Sequence, residues 1–232
     1  MAVQWLGLMD YRVAWDLQHR LAAARAADEI PDQLLLLEHP AVLTLGRNAD
    51  EGHVRADADE LSRRRIELIR IERGGEVTYH GPGQLVAYPI VALSRRGLLI
   101  RPLVRALEAA MIETCRSFGV AGERRDGHPG CWVDAAGSSP RKIGALGIRV
   151  ERGVSYHGIA LNIAPDLRDF ELIDPCGMPG VVSTSVAVEA GWPVRDPASP
   201  GTHDAVAGAA RTFARTLARL LDAPIVGDLP RP

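Results

Sequence analysis

Cysteine, aromatic residues, long apolar runs and an excess of charge of either sign are all scarce in this 232-residue chain. Three cysteines, Cys115, Cys131 and Cys176, are too few and too scattered for a disulfide framework. None forms a Cys-x-x-Cys pair, so neither a structural zinc site nor any other metal site is expected. Aromatics make up 5% of residues, too sparse for a surface that stacks nucleotide bases. Lysine and arginine total 27 against 29 aspartate and glutamate, a formal charge of −2. Bulk charge therefore makes no case for a nucleic-acid partner and points to a small-molecule or protein substrate. No apolar run approaches the roughly 18 to 20 residues of a membrane span, and the N-terminus lacks a basic stretch followed by a long apolar core. Neither a nucleic-acid nor a membrane partner is expected, and the expected compartment is the cytoplasm, where thiols stay reduced.

What is present is a chain of 47% hydrophobic and 24% charged residues, long enough to bury a core without covalent staples. Residues 3–8 read as a strand. From Tyr11 to Ala27, Val13, Leu17, Leu21 and Ala24 recur at helical spacing behind Asp10, a capping residue. Strands are read over 33–38 and 41–45, broken by His39-Pro40, and over 65–72, 84–91 and 130–134, with a polar loop over 48–63. A helix is read over 101–118, with Pro102 in its first turn. Residues 142–150 and 154–163 flank Glu151-Arg152-Gly153 as a β-hairpin. A Pro-rich connector spans 192–203, and a closing helix over 204–221 turns Val206, Ala210, Phe213, Leu217 and Leu220 inward. Hairpins alternating with single helices argue for an α+β fold with a mixed, largely antiparallel sheet, arranged as one domain over 1–232.

Three segments carry chemistry. The densest is Arg73-Gly74-Gly75-Glu76-Val77-Thr78-Tyr79-His80-Gly81-Pro82-Gly83-Gln84. Its glycines let a ligand approach the main chain, and by themselves they suit a binding loop or a rigid turn with His80 satisfied by a nearby carbonyl. The spacing matches neither a Walker phosphate loop nor a dinucleotide fingerprint. The second segment is Arg141-Lys142-Ile143-Gly144-Ala145-Leu146-Gly147-Ile148, where glycines inside a strand mark close approach by a ligand or another backbone. Its hairpin partner is Tyr156-His157-Gly158-Ile159-Ala160-Leu161-Asn162-Ile163, in which His157 taken alone reads as structural rather than catalytic. The third is Ile173-Asp174-Pro175-Cys176-Gly177-Met178-Pro179-Gly180. A cysteine between proline and glycine in a turn is placed like a nucleophile on a scaffolded loop, unlike Cys115 in an apolar-periodic helix.

Together these segments resemble the lipoyl(octanoyl) transferases, the lipoate-protein ligase B family. The resemblance starts at Glu38-His39-Pro40 and Leu43-Thr44-Leu45-Gly46-Arg47. It continues through Arg73 to Tyr88-Pro89, through Lys142 to Gly147, and through His157 to Asn162, ending at Pro175-Cys176-Gly177. It departs at Ala41-Val42-Leu43, where proline and an aromatic are usual, and at Cys131, where valine precedes the tryptophan.

The resemblance implies the central mixed sheet and flanking helices of the biotin and lipoate ligases. It implies octanoyl transfer from an acyl carrier protein to Cys176 as a thioester, then to a lysine of lipoyl domains. The acceptors would be lipoyl domains of 2-oxoacid dehydrogenases and the glycine cleavage H protein, the enzyme a monomer. Lys142 would lower the pKa of Cys176 and shuttle protons. Residues 73–80, 145–147 and 158–160 would bind substrate, with Gly75, Gly147, Gly158 and Ala160 lining a narrow slot and oxyanion donors near Gly147 or Cys176. Thioester exchange is near neutral and amide formation from a thioester runs downhill, so no cofactor and no ATP are implied. The rival readings are an ATP-dependent lipoate or octanoate ligase and an octanoyl amidotransferase on the same fold. Cys176 in its Pro-Cys-Gly setting favours the transferase over the ligase.

Overall fold

The computed structural model describes residues 1–178, 180–193 and 195–230, with the side chains of Cys176 and Asp228 outside the described set. In chain order the elements are β1 (Ala2–Leu8), α1 (Tyr11–Ala26), β2 (Gln33–Glu38), β3 (Val42–Leu45), α2 (Ala58–Arg64) and β4 (Glu67–Arg70). There follow β5 (Thr78–His80), β6 (Gln84–Ile90), α3 (Leu93–Arg96), α4 (Ile100–Ser117), β7 (Glu123–Arg125) and β8 (His128–Val133). The chain continues with β9 (Arg141–Glu151), β10 (Val154–Asn162), β11 (Val182–Ser183), α5 (Val186–Glu189), α6 (Pro200–Leu220) and β12 (Val226–Asp228).

The main sheet has the order β12-β1-β2-β6-β10-β9-β8-β7, with β11 beside β9. β1 runs parallel to β12 and β2, and β11 parallel to β9; the remaining neighbours are antiparallel. This is the α+β, mixed, mostly antiparallel sheet expected. β2 shows why it forms. Its leucines alternate between two apolar layers: Leu34 and Leu36 face α4 and α6, while Leu35 and Leu37 face α1. A strand buried on both faces belongs at the centre of a sheet. The β9–β10 hairpin closes through Arg152 and Gly153 at φ 48° and 76°, consecutive left-handed residues whose twist matches the strands they join.

Four local expectations need correction. Strands 41–45 and 65–72 leave the main sheet and form a second one, order β4-β3-β5. The segment 48–63 is not all loop: Asp57 accepts the Glu60 N–H at 2.8 Å and caps α2, which buries Leu61. The closing helix begins at Pro200 rather than 204, because Ser199 and a proline at the first helical position start it, and its Leu220 is exposed. On α1 the buried face is Tyr11, Ala14, Gln18 and Arg25, whereas Val13 faces solvent. Polar residues go inside there because the sheet beneath supplies partners: the Gln18 Oε1 accepts the His157 backbone N–H at 2.8 Å. No helix among the described residues is long and apolar enough to cross a membrane.

Candidate active site

The glycine-rich loop lies on the β9–β10 hairpin. The Gly74 N–H donates to the Ile148 carbonyl at 3.3 Å, and a Cβ on Gly147 would stand 2.6 Å from the Gly74 oxygen. A Cβ on Gly158 would collide with the Ala87 carbonyl of the neighbouring strand. Backbone packed on backbone therefore demands these glycines, and their close packing builds one wall of a cavity. That cavity holds about 460 Å³. Its walls are residues 73–78 and His80, 145–147 of β9 and 158–160 of β10, so nearly all the predicted binding residues converge. Tyr79 does not join them. Strand alternation turns it into the other core, where its ring meets Phe170 edge-on at 5.3 Å.

Lys142 lies at one end of the cavity and is 7% exposed. On one side its strand pairs with β8, which sets Trp132 opposite it. The Lys142 Nζ lies 4.9 Å from the indole centroid, and the Arg125 guanidinium lies 4.9 Å from the same ring. On the other side β11 pairs Ser183 with Lys142, and the Thr184 N–H donates to the Lys142 carbonyl at 2.9 Å.

β11 follows the 3-10 turn Pro175–Gly177, so the turn carrying Cys176 is tied to the strand of Lys142. Its other side is anchored by the Asp174 N–H, which donates to the His53 carbonyl at 2.8 Å. Pro175 and Lys142 line one small cleft, and Met178 and Lys142 share the large cavity. The Cys176 side chain lies outside the described residues. The other two cysteines are fully buried in the core beside α4 and β8. Contact with the Cys115 thiol, together with burial, holds the Cys131 thiol far above its ordinary value.

A buried polar chain stiffens this end. The His80 Nδ1 donates to the Gln84 Oε1 at 2.8 Å, since Gln84 Nε2 donates to the Asn162 Oδ1 at 2.9 Å and the Tyr79 carbonyl at 3.2 Å. The Asn162 Nδ2 donates in turn to the Thr184 carbonyl at 2.9 Å. The chain thus runs from β5 through β6 and β10 to the residue that holds the Lys142 carbonyl. Burial pushes His80 down to about 3 and His39 down to about 4, so both rings are neutral at pH 7. His39 donates from Nδ1 to the Met9 carbonyl at 2.7 Å and accepts from the Tyr88 hydroxyl at 2.8 Å.

Tyr11, Tyr88 and His157 also line the cavity, and sequence reasoning did not place them there. Tyr11 comes from a helix read only for its apolar pattern, and Tyr88 from a strand where it marked the family resemblance without a role. His157 stands beside the Gly158 position, and its left-handed φ of 56° inside a strand is not a property a sequence displays. A cavity lined by Lys142, with a cysteine-bearing turn beside that lysine, suits capture of an acyl chain by its carbonyl.

A family profile described as the lipoyl protein ligase A/B catalytic domain matches residues 10–191. The octanoyltransferase of Chloroflexus aggregans (strain MD-66 / DSM 9485) is 47% identical over 192 residues, 82% of this chain and 86% of its own. That of Paraburkholderia xenovorans (strain LB400) is 42% identical over 229 residues, 96% of this chain and 87% of its own. Among solved structures, lipoate-protein ligase A bound with ATP superposes with a TM-score of 0.66 at 15% identity, covering 98% of this chain and 89% of that one. A bi-partite lipoate protein ligase of Thermoplasma acidophilum gives 0.64 at 14% identity, over 98% and 87% of the two chains. At such identities the superpositions speak for the fold.

Proposed function

The chain belongs to the lipoyl protein ligase A/B catalytic-domain family, among its octanoyltransferases, and from that premise we propose a cysteine-relayed acyl transfer for protein lipoylation. The donor is an octanoyl thioester on the phosphopantetheine arm of an acyl carrier protein. The acceptors are lysine side chains on lipoyl domains, of 2-oxoacid dehydrogenases and of the glycine cleavage H protein. The observation that supports the relay is the pairing of β11 with the strand of Lys142, which brings the Pro175–Gly177 turn to that lysine.

In the first half-reaction the Cys176 thiolate attacks the thioester carbonyl. The C–S bond to pantetheine breaks, a C–S bond to Cys176 forms, and the departing thiolate takes a proton. The Lys142 ammonium favours the attacking thiolate and serves as the proton's source. In the second, the acceptor amine attacks the acyl-enzyme carbonyl, the C–S bond to Cys176 breaks and an amide forms. Lys142 takes up the proton that the amine sheds. The first step conserves the activation of the acyl group and the second spends it in forming the amide, so no nucleotide is consumed.

The cavity beside residues 145–147 and 158–160 takes the acyl chain, and burial of its methylenes at about 0.8 kcal/mol each supplies the binding. Tyr79 is turned away from the cavity and serves the site through its packing on Phe170 and through its carbonyl, which accepts from Gln84.

Intact-protein mass spectrometry after incubation with octanoyl carrier protein tests this reading. One octanoyl adduct, removed by hydroxylamine and lacking in Cys176→Ser, is expected. An adduct that survives Cys176→Ser removes that residue from the mechanism, and transfer that strictly requires ATP hands the chain to the ligases.

A further inference from the structure

The cavity lining includes an acceptor that no described residue answers. His157 is 1% exposed and lines the cavity. Its backbone is left-handed, with its N–H held by Gln18, and its Nε2 lies 3.3 Å from the Glu72 Oε1. Burial opposes the charge on Glu72, but hydrogen bonds from His157 and Trp15 outweigh it and bring its pKa to about 2. Glu72 is thus a carboxylate that only accepts, so the His157 proton sits on Nε2. Burial also lowers the pKa of His157 and keeps the ring neutral, which leaves a lone pair on Nδ1. That Nδ1 is buried and has no hydrogen-bond partner among the described residues. The nearby Tyr88 hydroxyl is committed to His39 at 2.8 Å. No described residue supplies a partner for Nδ1, so a ligand in the cavity can.

We propose that His157 determines which chain ends the cavity admits: its Nδ1 penalises a terminal methyl and accepts a hydrogen bond from a terminal hydroxyl. The proposal rests on the acyl chain occupying this cavity with its carbonyl at Lys142. His157 pairs with Ile148 in the β9–β10 ladder, and Ile148 lies about 20 Å along β9 from Lys142 at roughly 3.3 Å per residue. An extended eight-carbon chain covers about 9 Å with bonds near 1.5 Å. Its methyl ends short of the imidazole and leaves Nδ1 untouched. A longer plain chain drives its methyl onto Nδ1 and leaves a buried acceptor dry, whereas a chain ending in hydroxyl restores the bond. The difference corresponds to roughly 5- to 100-fold in affinity.

Calorimetry of the full-length protein with free fatty acids of 8 to about 16 carbons, each compared with its ω-hydroxy counterpart of equal length, reads this directly. At the lengths that reach His157, the wild type is expected to bind the hydroxy acid about tenfold more tightly, and His157→Leu to bring the ratio close to one. Because leucine is strained at a left-handed position, ¹⁵N NMR of the wild-type imidazole gives a second reading. The Nδ1 resonance moves with the hydroxy acid and not with the plain acid. An unchanged ratio in the variant, or a preference for the methyl at every length, overturns the assignment. Octanoyl adduct formation without binding of any acid overturns it while leaving the transfer reading intact. Retained hydroxyl preference without an adduct does the reverse.

Discussion

Lys142 and Trp132 face each other across the β8–β9 ladder, with the ammonium nitrogen 4.9 Å from the centre of the indole ring. The ring is fully buried and its Nε1 donates to the His128 carbonyl at 3.0 Å, so it is a fixed platform. A cation on such a face gains about 0.5 to 2 kcal/mol, more as water is excluded. The aromatic thereby offsets part of the cost of keeping a lysine that is 7% exposed. Replacing Trp132 by leucine is expected to lower kcat/KM for octanoyl transfer by roughly 3- to 30-fold, with phenylalanine recovering part of it. Equal activity in the leucine and phenylalanine variants would deny the ring any part in holding the ammonium.

Lys142→Ala removes the cation that shares a cleft with Pro175 of the Cys176 turn. Iodoacetamide should then alkylate Cys176 more slowly at pH 7, by about tenfold, because a larger share stays thiol. Rates matching the wild type would reject this role for the lysine.

Three glycines should respond to alanine with different signs. Gly158→Ala drives a Cβ into the Ala87 carbonyl, and Gly147→Ala sets one 2.6 Å from the Gly74 oxygen. Destabilisation of about 1 to 3 kcal/mol is expected for each, larger for Gly158, where only the backbone of a central strand can yield. Gly208, inside α6, would meet nothing closer than the Arg211 side chain at 3.5 Å, so alanine there should stabilise by about 0.5 to 1 kcal/mol. Urea midpoints of the three variants check the order.

Acid should weaken the fold before any carboxylate titrates. His39 and His80 are held neutral by burial, at about 4 and 3, whereas in the unfolded chain they protonate near 6.5. Between those values the unfolded state binds more protons, so stability is complete above about pH 6.5 and falls as the pH drops toward 4. Urea unfolding at pH 7.5, 6 and 5 should show this decline, with a shallower slope in His80→Gln. A flat profile over that window would mean that the two rings are solvated in the folded state.

The elements were legible where their signals are local. Asp10 caps α1, Pro102 stands in the first turn of α4, and Arg152-Gly153 turns the hairpin, each through chemistry among near neighbours. The errors arose where a distant partner decided the outcome. Val13 fits the apolar period of α1 yet faces solvent, because Gln18 has a backbone donor waiting in β10. Residues 41–45 and 65–72 read correctly as strands, but nothing within them tells which sheet they join. Tyr79 sits within the most distinctive string of the chain and still turns away from the cavity, since alternation in a three-residue strand sends His80 and Tyr79 to opposite sides.

By itself the sequence determined the class of fold, its three long helices, the β9–β10 hairpin and the segments that mark the family, because periodicity, caps and turns are written in adjacent residues. Only the tertiary structure decided that Tyr11, Tyr88 and His157 share one cavity with Lys142, that Trp132 lies under its ammonium, and that β11 carries the Cys176 turn to its strand. Those meetings depend on strand register and on which way each side chain leaves the sheet, and long-range pairing sets both.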